Sequence, residues 1–384
     1  MGRFYNTARR ALRGPIVPFA RRSGILPAMP RPIRATISAA ALAHNLEVAR
    51  RHAAPAKVWA VVKANAYGHG LLRAAQALKE ADGFALLDFV DALRLRHAGV
   101  TKPILMLEGF FKPEDVTLLT RHRLTPVVHN IEQIEMLEKV TFVGRIDAYL
   151  KVNSGMNRLG FSVDNVRLAW NALDGHPGVG AVTLMTHFAD ADGDNGIAAQ
   201  MQWFNELTQP FDAPRSLANS AALLRFPEEA RADWVRPGIM LYGGSPFSFK
   251  SAEELGLKPA MTLASEIVGV QHLQAGERVG YGFTYEAGQE MTIGVVACGY
   301  ADGYPRHAPS GTPVLVAGQR TRTVGRVSMD LLCVDISDIP EAYIGTPVTL
   351  WGEGLSADEV AHSAATVSYQ LLCGLAPRVQ IVEI

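Results

Sequence analysis

Apolar residues along this chain fall into short, β-branched runs that alternate with helical repeats. The runs lie at residues 58–62, 84–87, 104–107, 124–128, 146–152, 181–186, 216–218 and 234–235. Segments between them, such as 71–80 and 90–97, carry apolar residues at helical spacing with charge on the opposite side. Eight strands separated by helices predict a TIM-type (β/α)8 barrel. A doubly wound open sheet is the competing architecture. It would favour a glycine-rich dinucleotide turn after the first strand, and no GxGxxG follows Val62. A strand over 33–38 and an alanine-rich helix over about 39–52 precede these runs, with Ser38 as the helix N-cap.

The pattern changes after about Gly243. Residues 244–257 read as a linker. Beyond them, short β-branched runs at 267–270, 291–296, 313–316, 331–334 and 347–350 are separated by glycine and proline turns. That spacing predicts an all-β domain. One helical stretch, about 357–365, interrupts it, and a strand over 378–384 ends the chain. The expected organisation is therefore a barrel over 33–243 followed by a C-terminal all-β domain over 258–384. The strand at 33–38 is a candidate member of the second domain.

The first 28 residues are of another kind: six arginines and no acidic residue. A transit-type peptide, a disordered basic tail and an upstream start codon are the readings for this leader. Without it, 31 basic residues face 37 acidic ones, a net charge of −6 against zero for the whole chain. A balanced charge gives no reason to expect nucleic acid as a partner. A hydrophobic fraction of 48% with 19% charged residues fits a globular protein with a large core, and no apolar run is long enough to span a bilayer. Cys298, Cys333 and Cys373 are scattered, odd in number and without a CxxC. They argue for a reducing compartment, the cytoplasm, and against a disulfide framework or a zinc site.

In a barrel of this type, functional side chains sit at the carboxyl ends of the strands. Those positions hold Lys63, Lys151, His187, Asn219-Ser220 and Arg236. A desolvated lysine loses affinity for its proton and becomes a nucleophile, as a Schiff-base lysine must. The alternative for Lys63 is a strand-end lysine that snorkels to water. Each of the others has a structural alternative too: a rim salt bridge for Arg236, a buried hydrogen-bonded ring for His187, a helix cap for Ser220. The two glycines of Tyr67-Gly-His-Gly70 are read as ending the first strand and letting backbone approach a ligand. Arg236-Pro-Gly238-Ile239, with Ser220 one strand earlier, has the make-up of a phosphate cradle, where barrels often bind phosphate.

Nine motifs in order carry a family resemblance. Val61-Val-Lys63-Ala-Asn-Ala-Tyr67-Gly-His-Gly resembles the pyridoxal-phosphate attachment site of the alanine racemases. Lys151-Val-Asn-Ser-Gly-Met-Asn-Arg158, Met185-Thr-His187, Ala218-Asn-Ser220, Val235-Arg236-Pro-Gly and Val279-Gly-Tyr281-Gly are similar to family motifs too. Gly299-Tyr300-Ala-Asp-Gly, Gly325-Arg-Val-Ser-Met329-Asp330 and Cys373-Gly-Leu-Ala-Pro-Arg378 complete the set. The resemblance runs from about Ile33 to Ile384.

It implies interconversion of L- and D-alanine, with pyridoxal 5'-phosphate on Lys63, for peptidoglycan supply or alanine catabolism. Lys63 and Tyr281 would be the two bases, Tyr281 reaching in from the second subunit of a homodimer. Arg236 would face the pyridine nitrogen, with His187 holding its guanidinium. Arg158 would bind the cofactor oxygen and the substrate carboxylate, opposed by a Lys151 that is often carbamylated in the family. Tyr67, Ser220, Tyr369 and the backbone of Gly238 and Ile239 would bind the phosphate. Tyr300 and Met329, from the partner chain, would close a pocket of methyl size. Three departures from the family pattern, Ser216-Leu217, Leu86-Leu87-Asp88 and Phe283, bear on substrate breadth. A broad-specificity amino-acid racemase is therefore the closest rival. A decarboxylase of the same architecture would place an acid, not Arg236, at the ring nitrogen. A non-catalytic cofactor-binding protein would lack the second domain that holds Tyr281.

Overall fold

The computed structural model describes residues 31–140, 142 and 144–384; the basic leader lies outside them. Strand β1 (Arg34–Ile37) leads into helix α1 (Ala39–Ala53), whose Ser38 side chain accepts from the Ala41 amide as an N-cap should. Eight parallel strands then close into a barrel. They are β2 (Lys57–Val61), β3 (Gly83–Leu86), β4 (Ile104–Met106), β5 (Leu124–Val128), β6 (Ile146–Lys151), β7 (Val179–Met185), β8 (Arg215–Ser216) and β9 (Trp234–Val235). Pairing of Lys57 with Trp234 joins the last strand to the first. The valine, isoleucine and leucine side chains of these strands are almost wholly buried, as strands covered by helices require. At the amino-terminal end of the barrel, Trp59 stacks on Trp234 with ring centroids 4.3 Å apart and donates its indole N–H to Tyr149 Oη at 2.9 Å. Such an aromatic pair adds about 0.5–1.5 kcal/mol beyond its buried area.

The remaining strands form a second, mostly antiparallel layer. Strand β10 (Met261–Leu273), 13 residues long, pairs with three strands, β1, β13 and β17. A two-stranded ribbon follows, β11 (Arg278–Val279) with β12 (Tyr285–Glu286). Then come β13 (Met291–Val296), β14 (Pro313–Val316), β15 (Gln319–Val324), β16 (Leu332–Asp335), β17 (Pro347–Trp351) and β18 (Gln380–Glu383). The eight-stranded sheet runs β13-β16-β15-β14-β17-β10-β1-β18, and β13 also pairs with β10, so six strands complete a ring. The alternation along the first half of β10 is the mark of a strand with one face in a core. The amino-terminal strand β1 belongs to this sheet, antiparallel to β10 and parallel to β18.

Several elements of this region escaped the hydrophobic pattern, the short β11–β12 ribbon among them. Strand β15 reads Gln-Arg-Thr-Arg-Thr-Val, too polar to signal itself, and the helix Ser368–Cys373 is too short to show a period. That helix contributes Tyr369 to the region around Tyr67, where the two rings lie 6.0 Å apart.

Candidate active site

The carboxyl ends of the barrel strands gather the basic residues picked out in the sequence. Lys63 follows β2, Lys151 ends β6, His187 follows β7, Ser220 opens the helix after β8, and Arg236 follows β9. They perturb one another. Burial first, and then Arg158, lowers the proton affinity of Lys63, against an opposing pull from Glu108 and Cys373. Burial, Arg236 and Arg158 bring Lys151 down to about 8. Burial and the same cations hold His187 well below the usual imidazole range, which leaves its ring neutral at pH 7.

Lys63 stands at the entry to an unusual piece of backbone. Strand β2 ends at Val61, and helix α2 (Lys63–Tyr67) is left-handed: Ala64, Asn65, Ala66 and Tyr67 have φ of 53°, 53°, 54° and 51°. Four consecutive non-glycine residues in this region cost on the order of 4–8 kcal/mol. The segment offsets that locally. The Gly68, His69 and Gly70 amides donate to Ala64, Ala66 and Asn65 carbonyls, and the Leu71 amide donates to Asn65 Oδ1 at 3.0 Å. His69 Nδ1 lies 2.9 Å from Tyr67 O and 3.1 Å from Ala66 O, so it carries the proton. Burial brings His69 down to about 4 and keeps the ring neutral. At about 0.5–1.5 kcal/mol net for each of five such bonds, and about 1.5–3 kcal/mol for burying Tyr67, the gains match the strain.

The expectation that glycines end this strand is corrected. Gly68 has φ +80°, and a Cβ there would run into the Leu372 carbonyl oxygen. It makes room for the helix carrying Tyr369, not for a ligand. Gly68→Ala is expected to lower stability by more than about 1 kcal/mol, read as a fall of several degrees in the thermal midpoint.

Tyr67 is buried, stacks on Tyr242 with centroids 4.5 Å apart, and sends its hydroxyl toward Gly238. A Cβ on Gly238 would lie 2.5 Å from that oxygen, so only glycine leaves room for it. The Gly238 amide donates to Ser220 Oγ at 2.9 Å, and Ile239 opens the 3-10 turn that follows. A hydroxyl from Tyr67, a hydroxyl from Ser220 and the backbone of 238–239 thus share one buried corner. Polar groups gathered in one buried corner suit an anion.

Arg236 is buried and has no carboxylate partner among the described residues. Its Nη1 donates to Ser216 Oγ at 2.6 Å, and its Nη2 to the Thr186 and Leu217 carbonyls at 2.6 and 3.1 Å. Burial lowers its proton affinity to about 10, which still leaves it charged at pH 7. Among the described residues His187 makes no hydrogen bond to it. The expectation that His187 holds the guanidinium is corrected: Ser216 and two backbone carbonyls do so.

Arg158 is exposed, on the loop after β6, and acts on Lys63, Lys151 and His187 through its charge. Sequence reasoning passed over Glu108, the carboxylate that opposes the cations at both Lys63 and Lys151. It stands two residues past β4, and its carbonyl accepts from His129 and Gln133. The strand-end rule that found Lys63 would have found it.

Tyr281, Tyr300 and Met329 lie apart from this cluster, on turns of the second layer. They are 70%, 39% and 53% exposed, and none of them hydrogen-bonds through its side chain to Lys63 among the described residues. Also among the described residues, no helix is long and apolar enough to cross a membrane, and no group of three or more His, Cys, Asp or Glu side chains is placed to hold a metal ion.

Comparison with known proteins agrees with this geometry. Residues 37–246 match the alanine racemase N-terminal domain and residues 260–383 the alanine racemase C-terminal domain. An alanine racemase of Nitrosospira multiformis is 57% identical over 357 residues, covering 92% of this chain and all of the relative. One from Ralstonia nicotianae is 56% identical over 358 residues, 92% of this chain and 95% of its own. The crystal structure of the biosynthetic alanine racemase from Pseudomonas aeruginosa superposes with a TM-score of 0.90 at 46% identity, covering 92% of this chain and 99% of that one. With both domain families matched in order and relatives this similar along their whole length, the chain belongs to the alanine racemase family.

Proposed function

We propose that this chain interconverts L- and D-alanine with pyridoxal 5'-phosphate held at the barrel mouth, using Lys63 and the Tyr281 of a second copy as its two bases. The observation that carries the reading is the pairing of a lysine with a loosened proton and a buried arginine that no carboxylate neutralises among the described residues. Such an arginine suits a ring nitrogen that is to stay unprotonated, because a guanidinium does not give up its proton. The corner of Tyr67, Ser220, Gly238 and Ile239, with Tyr369 beside it, fits a phosphate. The residues present therefore fit the cofactor.

When bound, pyridoxal phosphate supplies an electron sink that makes the substrate Cα–H acidic. The chain's own residues do the remaining work. Lys63 would anchor the cofactor, and its amine would exchange a proton at Cα on the D face. The Tyr281 hydroxyl exchanges one on the L face. Racemisation needs both, since the proton that leaves one face must be replaced on the other. Arg158 receives the substrate carboxylate, and His187 lines the site as a neutral ring. Lys151, brought to about 8, holds enough neutral amine to take up carbon dioxide as a carbamate, which would offset the charge of Arg158. Tyr300 and Met329 close the pocket from the partner chain, so the working unit is a closed two-fold homodimer with two composite sites. We place the reaction in the cytoplasm, in keeping with scattered cysteines that form no CxxC.

Borohydride reduction of the holoenzyme should abolish racemisation in both directions and place the adduct on Lys63 by peptide mapping. Lys57 is the internal control, since it lies at the opposite end of β2 with Nζ 5.3 Å over the Trp234 ring. An adduct on Lys57 or Lys151 would sink the assignment.

A further inference from the structure

Three stretches of the second layer, far apart in sequence, meet at one arginine. Arg378 Nε donates to Asp302 Oδ1 at 2.7 Å, and Nη2 donates to Asp330 Oδ1 at 2.7 Å. Asp302 Oδ2 accepts the Gly299 amide at 2.9 Å, closing the 3-10 turn Tyr300–Asp302. Asp330 directly follows Met329. The Tyr300 and Ala301 amides donate to the Ser328 and Met329 carbonyls, each at 3.0 Å. Ala376, two residues before the arginine, donates its amide to Asp302 O at 3.1 Å. Gly299 allows the close approach: a Cβ there would run into the Ser328 and Met329 carbonyl oxygens.

The two arms differ in strength. The Asp302 carboxylate is fully buried, whereas Asp330 is 51% exposed and Arg378 40%. The Asp302 arm is shielded and anchors the guanidinium, while water screens the Asp330 arm. A planar fork with donors at fixed angles holds two carboxylates at a fixed separation; an ammonium on a flexible stem does not.

We infer that Arg378 is a positioning residue for the substrate pocket: by bridging Asp302 and Asp330 it sets the spacing of Tyr300 and Met329, and so the size of side chain the enzyme accepts. The inference rests on the reading that Tyr300 and Met329 line that pocket. Releasing the bridge lets the Met329 loop move away from the Tyr300 turn. Substrates one carbon larger than alanine then gain relative to alanine. The bases and the cofactor contacts stay in place, so binding suffers more than chemistry.

The test is steady-state kinetics of the holoenzyme with L-alanine and L-2-aminobutyrate. For Arg378→Ala, KM for alanine should rise about tenfold with kcat within about threefold of wild type. The ratio of kcat/KM for 2-aminobutyrate to that for alanine should rise about fivefold. Arg378→Lys should restore only part of the alanine KM. Asp330→Asn, which weakens the exposed arm and spares the buried one, should move the ratio the same way by less, and it decides the matter should Arg378→Ala fail to fold. An unchanged ratio in the Arg378 and Asp330 variants, with Tyr300→Ala shifting it, overturns the inference. A Tyr300→Ala variant whose ratio does not move shows instead that the pocket reading itself is wrong.

Discussion

Mixed dimers of Lys63→Ala and Tyr281→Ala chains are expected to recover about a quarter of wild-type racemase activity, although each variant alone is nearly inactive. Each single variant lacks the base for one face of Cα at every site. Unfolded together in equal amounts and refolded, about half the dimers pair one chain of each kind. In such a dimer one site collects both lesions, while the other has an intact Lys63 and an intact Tyr281. Half the dimers with one working site in two give the quarter. Tyr281 is 70% exposed on a turn of the second layer, which is where a residue destined for another chain's site belongs. The check is the racemisation rate of the refolded mixture, with mixed dimers confirmed by mass spectrometry. Activity that stays flat would place Tyr281 in its own chain's site, or in none.

Replacing Arg236 with glutamate should have the second large effect. The guanidinium donates to Ser216 Oγ and to the Thr186 and Leu217 carbonyls in a buried position. Arg236→Glu leaves those acceptors without a donor and sets a carboxylate among them. It also replaces a group that keeps its proton with one that can share a proton with the cofactor's ring nitrogen. A stronger electron sink follows, and with it more opportunity for protonation away from Cα. Racemisation should fall on the order of a hundredfold, while pyruvate formed per alanine racemised rises. Arg236→Lys, which keeps a cation, should lose rate without the rise in pyruvate. A glutamate variant that folds, binds cofactor and leaves the product ratio unchanged would mean that Arg236 does not face the ring.

How much of this was legible in the sequence depended on what each residue has to satisfy. The barrel strands were readable because burial on both faces forces unbroken apolar runs, such as Val-Trp-Ala-Val in β2. Their ends were readable to within a residue or two, and that placed Lys63, Lys151 and Arg236 at the mouth before any coordinates. The left-handed turn at 64–67 was not readable, because Asn65 alone among Ala-Asn-Ala-Tyr favours positive φ; the hydrogen bonds that hold it come from residues 68–71. The partners of Arg236 were missed for a related reason. Two of its three acceptors are backbone carbonyls, which every residue has, so no side-chain pattern marks them. The role of Tyr281 was reached through family resemblance alone, since its exposure within one chain carries no sign of Lys63.

Strand β1 lies between β10 and β18, hydrogen-bonded to both. It is made early in synthesis, yet β10 begins at Met261 and β18 at Gln380, so its neighbours are among the later parts of the chain to leave the ribosome. Between them the whole barrel is threaded as an insertion in the sheet. The barrel strands β2–β9 have all their partners among themselves and close as soon as β9 is available. The sheet around β1 has to wait for β10 and β18, which follow the whole barrel in the chain. Growth of the nascent protein therefore runs inside out: the domain whose first strand is synthesised earliest is the one finished last.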